Sequence, residues 1–264
     1  MTIGIDALAL LIETADQINA RLIKRINATE ASFEITLELS DGSSRVYLLS
    51  LVDEKNKIYA KETTPNQLPS SCPERHINND GTFCINWQGF QDLTVLDQKS
   101  AIEWWSHLLR YLSLQVRAAK NRKWPGKEWA HGNAAKFQNS AENAARALGA
   151  EYYDLLIQKQ LTVKHVRLND SRGPLLRLYL GSKHLCSVWK TLDMVANKRQ
   201  SCLCIKNSKV KRKPIRSCSD HAIQIKELIT SIFLQDLEIE LFWKYRKGQS
   251  CCMTMDNCPL NVAS

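Results

Sequence analysis

Several familiar signatures are missing from this sequence, and each absence removes a class of function. It contains no Walker phosphate loop, no Rossmann glycine fingerprint, no His-Glu-x-x-His pair and no serine nucleophile elbow. Phosphate cradles, dinucleotide folds, zincin chemistry and serine hydrolysis therefore have nothing to stand on. The N-terminal residues carry no basic segment leading into a long apolar run. The longest early one, residues 7–12, stops at Glu13. Neither a signal peptide nor a membrane-spanning helix is read, so no membrane partner is expected and the cytoplasm is the expected compartment.

What is present is an ordinary globular composition: 264 residues, 44% hydrophobic and 24% charged. That is enough chain to bury a real core in one large domain or two ordinary ones. Charge and cysteine divide it unevenly. Residues 1–160 hold 18 Lys+Arg against 19 Asp+Glu, a net of −1, whereas residues 161–264 hold 18 against 8, a net of +10; the two add to the overall +9. Seven of the nine cysteines also fall in the second part, beyond Cys72 and Cys84. A domain boundary at 160/161 follows, with domains 1–160 and 161–264.

Hydrophobic spacing supplies the elements. Ile5, Leu8, Ile12, Ala15, Ile18, Leu22 and Ile26 recur at steps of three and four, predicting one helix over residues 4–28. Alternation through Phe33, Ile35 and Leu37 predicts a strand. Residues 45–52 and 57–62 follow as further strands of an antiparallel meander. A strong amphipathic helix spans residues 100–120, with Ile102, Trp105, Leu108, Leu112 and Val116 on its inner face and Trp104 also a core residue. Residues 140–160 predict another helix. Beyond the boundary come strands near 163–168, 175–180 and 185–189, and a long helix over 222–245. The fold class is α+β.

One stretch carries candidate chemistry: Cys72-Pro73-Glu74-Arg75-His76-Ile77-Asn78-Asn79-Asp80-Gly81-Thr82-Phe83-Cys84. Asn79-Asp80-Gly81 favours a tight turn. His76 lies on the opposite limb from Cys84. A thiol attacks as thiolate, and an imidazole nearby lowers its pKa or polarises the carbonyl attacked. The residues alone also fit a buried structural cysteine beside a surface histidine, and Cys72 reads as structural.

The segment resembles the active-site segment of ubiquitin-conjugating enzymes, where a His-Pro-Asn tripeptide precedes an Asn-Gly-x-x-Cys run. Laid on this chain, the tripeptide falls on Glu74-Arg75-His76, the turn on Asp80-Gly81 and the nucleophile on Cys84. His76 stands where that family has its asparagine. The chain is similar to a divergent bacterial branch with a cysteine-rich C-terminal half, found in short type II CBASS antiphage systems. The resemblance implies a ubiquitin-conjugating-like domain followed by a smaller basic, cysteine-rich α+β domain. It further implies a thioester-forming acyl transferase with Cys84 as nucleophile and His76 assisting. The implied protein partner is a cGAS-like nucleotidyltransferase, engaged at its C-terminal tail. A non-catalytic scaffold for that partner and a Cys-His hydrolase of its C-terminal peptide stand as alternatives.

No cofactor is expected for catalysis. Structural zinc is a candidate in the C-terminal part, on Cys202, Cys204, Cys218 and Cys252 or Cys258. Free buried thiols and disulfides fit the same residues. Residues 206–216 hold six basic side chains in eleven. No aromatic residue interleaves them for base stacking, so a solvated loop or an acidic protein partner is expected rather than nucleic acid.

Overall fold

Asp6 starts the first helix: its carboxylate accepts the Ala9 N–H at 2.9 Å. Helix α1 (Ala7–Thr14) buries Leu8 and Leu11 completely. In this computed structural model, residues 5–87, 89, 91–125, 129–168, 170–204, 213–218, 221–256 and 258–261 are described. The helix does not run to residue 28. After a 3-10 turn (Ala15–Ile18) the chain enters the left-handed region at Asn19, φ 54°, and continues as strand β1 (Ala20–Arg25). Strand pairing decides this. β1 supplies an antiparallel partner to β2 (Glu30–Glu38) from Ala20 opposite Ile35 to Arg25 opposite Ala31, with a bulge between Leu22 and Lys24. The spacing that read as one long helix runs through two elements that each turn apolar side chains inward.

Strands β3 (Ser44–Glu54) and β4 (Lys57–Glu62) complete an antiparallel sheet in the order β1-β2-β3-β4. Ala31, Phe33, Ile35 and Leu37 of β2 are buried alternately, as the two-residue period requires. Helix α2 (Gln98–Asn121) opens with a reciprocal cap. The Asp97 carboxylate accepts the Ser100 N–H at 2.7 Å, while the Ser100 hydroxyl accepts the Asp97 N–H at 2.9 Å. Trp104, Trp105, Leu108 and Leu112 are buried at 1% exposure or less. Ile102, expected inside, is 37% exposed. Each indole N–H finds a backbone acceptor: Trp105 donates to Leu11 O at 3.2 Å and Trp104 to Ile58 O at 3.3 Å.

The second sheet, β5 (Leu161–Val166), β6 (Leu175–Leu180), β7 (Lys183–Trp189) and β8 (Met194–Val195), is again a sequential antiparallel meander. The helix expected over 140–160 is two, α3 (Ala134–Leu148) and α4 (Ala150–Ile157), interrupted at Gly149 with φ 139°. Helix α5 (His221–Tyr245) packs its Ile225, Leu228, Ile229 and Ile232 into a core shared with Ala141, Ala144, Ala145, Leu176, Leu178 and Val188. Leu237, farther along the same helix, is 38% exposed. Among the described residues, no helix is long and apolar enough to cross a membrane.

The compact units are Met1–Glu128 with Lys247–Ser264, and Trp129–Arg246. The division therefore falls two helices, α3 and α4, earlier than the expected 160/161. Ala141, Ala145, Leu148 and Tyr152 share their core with β5–β8, a packing that charge and cysteine counts do not report. The chain's last residues return to the first unit. Arg122 donates to Asp256 Oδ1 at 2.7 Å and to Met253 O at 3.1 Å, and Asp256 N–H donates to Arg122 O at 2.8 Å.

Candidate active site and metal cluster

Cys84 stands at the end of a short hairpin anchored by backbone bonds. Cys72 and Ile77 exchange N–H···O bonds at 3.0 and 3.1 Å around a 3-10 turn (Pro73–Arg75). His76 caps that turn with φ 54°. The hairpin then reverses over 78–82: Gly81 N–H donates to Asn78 O, and Asn78 N–H to Thr82 O. Gly81 has φ +81°, where an L side chain is strained. Asp80 accepts both the hydroxyl and the N–H of Thr82, at 2.7 and 3.0 Å; these bonds, the hydroxyl's foremost, hold its carboxyl below the usual range. Phe83 N–H donates to Ala60 O of β4 at 2.8 Å, and Cys84 N–H to His76 O at 2.9 Å. The nucleophile candidate thus hangs on a fixed frame.

Cys84 is exposed, and its thiol makes one long contact, 3.7 Å to Asn86 O. His76 is 9% exposed, and its ring lies 4.8 Å from the ring of Trp124. Beneath them Tyr111 stacks on Phe83 at 5.0 Å, and its hydroxyl donates to Arg75 O and His76 O at 3.2 and 3.1 Å. Burial pushes the Tyr111 phenol well up, so it remains a donor. Arg75 is 2% exposed and is held by α2. Its Nε donates to Gln115 Oε1 at 2.8 Å and its Nη2 to Gln115 O at 3.1 Å, while Gln115 Nε2 donates back to Arg75 O at 2.6 Å.

A second cluster lies in the other unit. Cys202, Cys204, Cys218 and His221 bring their ligand atoms within 4.8 Å of one another. Cys204 Sγ is 3.4 Å from Cys218 Sγ, and His221 Nδ1 is 3.1 Å from Cys218 Sγ and 3.4 Å from Cys202 Sγ. A tetrahedral ion with metal–sulfur bonds of about 2.3 Å and metal–nitrogen bonds of about 2.0 Å separates its ligand atoms by about 3.5–3.8 Å. The donor set fits such an ion. All three cysteines are at most 6% exposed. Burial foremost, with the neighbouring thiols, pushes Cys202 up to about 12, so binding a cation here must displace protons.

Comparison with known families gives two adjoining matches. The family model described as a prokaryotic E2 domain matches residues 19–126. The model described as a cysteine-rich domain, C-terminal to the E2 domain, matches residues 130–260. The chain carries a prokaryotic E2 domain followed by a cysteine-rich domain. No curated protein and no solved structure matches it. The E2 domain supports a ubiquitin-conjugating-like function for the part that holds Cys84.

Within the E2 domain, Cys84 and His76 are joined through the backbone, opposite one another on the hairpin. Asn86 ties down the loop beyond the thiol by donating to Gln91 O at 2.7 Å. Trp124 is a packing residue against His76 and Tyr111. His131 belongs to the other unit and stacks on Phe242 at 4.6 Å. Of the basic stretch, residues 206–212 lie outside the described residues.

The expected metal ligands divide. Cys202, Cys204 and Cys218 form the cluster, but Cys252 and Cys258 do not join it. They sit in the first unit, in a small core with Cys72, Ala118 and Met255, because the tail returns there. His221 takes the fourth place. The signal for it was the Cys218-x-x-His221 pair, two donors at the spacing that metal sites use. Gln115 also had a signal. It continues the buried stripe of Leu108, Tyr111 and Leu112 as a polar side chain, and a buried polar side chain needs a partner.

Proposed function

We propose that the chain is a ubiquitin-conjugating-like acyl transferase whose nucleophile is Cys84. Its acyl donor is the C-terminus of a cGAS-like nucleotidyltransferase, in CBASS-type antiphage defence. The observation that carries the reading is an exposed thiol at the E2-type position, on a hairpin whose backbone is pinned to β4 and to His76. Pinning holds the sulfur in one place, which makes attack effectively unimolecular once an acyl group is bound. The Cys84 thiolate adds to the activated or thioester-bound C-terminal carbonyl. The leaving group departs with the electron pair and a thioester remains. An acceptor amine then attacks, and the Cys84 thiolate leaves. His76, one hairpin rung away, orders the segment or donates toward the developing oxyanion. Zinc held by Cys202, Cys204, Cys218 and His221 would stabilise the cysteine-rich domain without entering the reaction.

The test is co-expression with a cGAS-like nucleotidyltransferase from the same genome, followed by intact masses of wild type and Cys84→Ala. A partner-sized adduct removed by hydroxylamine or excess thiol, and absent from Cys84→Ala, is expected. A complex with no adduct, unchanged in Cys84→Ala, would leave a scaffold. A shortened partner released only by wild type would make the protein a hydrolase.

A further inference from the structure

Two cysteines that stand 180 positions apart in sequence meet in the first compact unit. Cys72 Sγ and Cys252 Sγ are 2.7 Å apart and share a hydrogen bond, closer than unbonded sulfurs ordinarily approach. Neither is in a disulfide. They differ in surroundings. Cys72 is 1% exposed, whereas Cys252 is half-buried, within 3.1 Å of the Thr254 hydroxyl. Both face a cavity of about 550 Å³, lined among others by Pro69, Ser71, Asn79 and Ser250. The buried Arg75 guanidinium also reaches this tail, donating to Thr254 Oγ1 at 3.4 Å.

The two thiols of this pair are not equivalent. The shared hydrogen bond, and then burial, push the Cys72 thiol up. The same bond, Thr254 and the Arg75 charge together hold Cys252 below the usual thiol range. The more accessible sulfur is thus the readier of the two to ionise, and the buried one waits beside it. An attacking thiolate with a resolving thiol in reach is the arrangement that exchange chemistry needs.

We propose that Cys72 and Cys252 form a thiol–disulfide exchange site that takes a low-molecular-weight disulfide of the glutathione class. Its product is a reversible bridge tying the C-terminal tail to the segment that leads into Cys84. In the first step the Cys252 thiolate attacks one sulfur of the small disulfide. A mixed disulfide forms, and the other sulfur leaves as thiolate. Cys72 then gives up its proton to solvent and attacks Cys252 Sγ, expelling the second small thiolate. One small disulfide is reduced to two thiols, and two protein thiols become one disulfide. The cavity is of the size that small ligands occupy. Because Cys72 exchanges both backbone bonds with Ile77, next to the His76 carbonyl that holds Cys84, the bridge fixes the tail to the frame of the candidate nucleophile.

The experiment uses the full chain, reduced and then equilibrated in glutathione buffers of increasing oxidised fraction, acid-quenched, alkylated and mapped by peptide mass spectrometry. A linked Cys72–Cys252 peptide, lighter by two hydrogens, should be the first disulfide to form and should vanish on return to reductant. Fragment spectra separate Cys252 from Cys251. Cys72→Ser should trap glutathione on Cys252, and Cys252→Ser should abolish the link. If Cys72→Ser does not fold, the wild-type map and the half-exposed Cys252→Ser decide alone. The proposal is overturned if Cys84 is glutathionylated while Cys72 and Cys252 both remain alkylatable, or if the tail links through Cys251 or Cys258 instead. It is equally overturned if the reduced chain holds a second metal ion that Cys252→Ser removes.

Discussion

Replacing Gln115 by Leu tests whether the segment before Cys84 depends on α2 for its position. Gln115 is fully buried, and leucine has nearly its volume, so no cavity opens. Two bonds are lost. The first is the charge-assisted bond from Arg75 Nε, 2.8 Å, which leaves a guanidinium donor buried without its acceptor and costs about 1.5–3 kcal/mol. The second is the bond from Gln115 Nε2 to Arg75 O, 2.6 Å. That carbonyl still accepts from the Tyr111 hydroxyl, so this loss is smaller, about 0.5–1 kcal/mol. The bond from Arg75 to Gln115 O is backbone-based and survives. The first unit should lose about 2–4 kcal/mol. Hydrogen exchange in urea, read on peptides of β2–β4 and α2, isolates this unit from the other. Gln115→Glu returns an acceptor to Arg75 but sets a second acceptor against Arg75 O, so it should recover only part of the loss. A cost below about 1 kcal/mol for Gln115→Leu would refute the dependence of buried Arg75 on this side chain.

Other outcomes follow from the same contacts. Trp105→Ala should cost about 3–5 kcal/mol in the first unit, since it deletes a fully buried indole and takes one donor from Leu11 O, which keeps the Thr14 hydroxyl; urea denaturation gives the value. His221→Ala or Cys204→Ala should release one metal ion per chain, read by elemental analysis. The wild-type affinity should fall as pH is lowered, because the ion competes with protons on thiols as reluctant as Cys202. Because Cys252 is held below the usual thiol range, its modification by iodoacetamide should begin to slow at a lower pH than that of an unperturbed thiol, which slows about tenfold per unit below its pKa of about 8.5. A rate at Cys252 that falls from pH 8 onward, as for an unperturbed thiol, would contradict this lowering.

The sequence by itself determined what depends on local period and turn chemistry. β2 follows from alternation, and α2 from its apolar stripe. The reversal before Cys84 follows from Asn79-Asp80-Gly81, where glycine takes positive φ without strain. Its Cys-x-Cys pair and Cys218 were also legible as three metal-ligand candidates. Tertiary structure alone decided where pairing outweighs local preference. Residues 20–25 leave a helical pattern to serve β2, and Ala-rich α3 joins the second core rather than the first. Which cysteines meet was likewise decided by the fold. Cys202, Cys204 and Cys218 found His221, while Cys252 travelled back to Cys72, because the returning tail is held by Arg122 and Asp256. Contacts between positions this far apart depend on the path of the whole chain, and no local spacing encodes them.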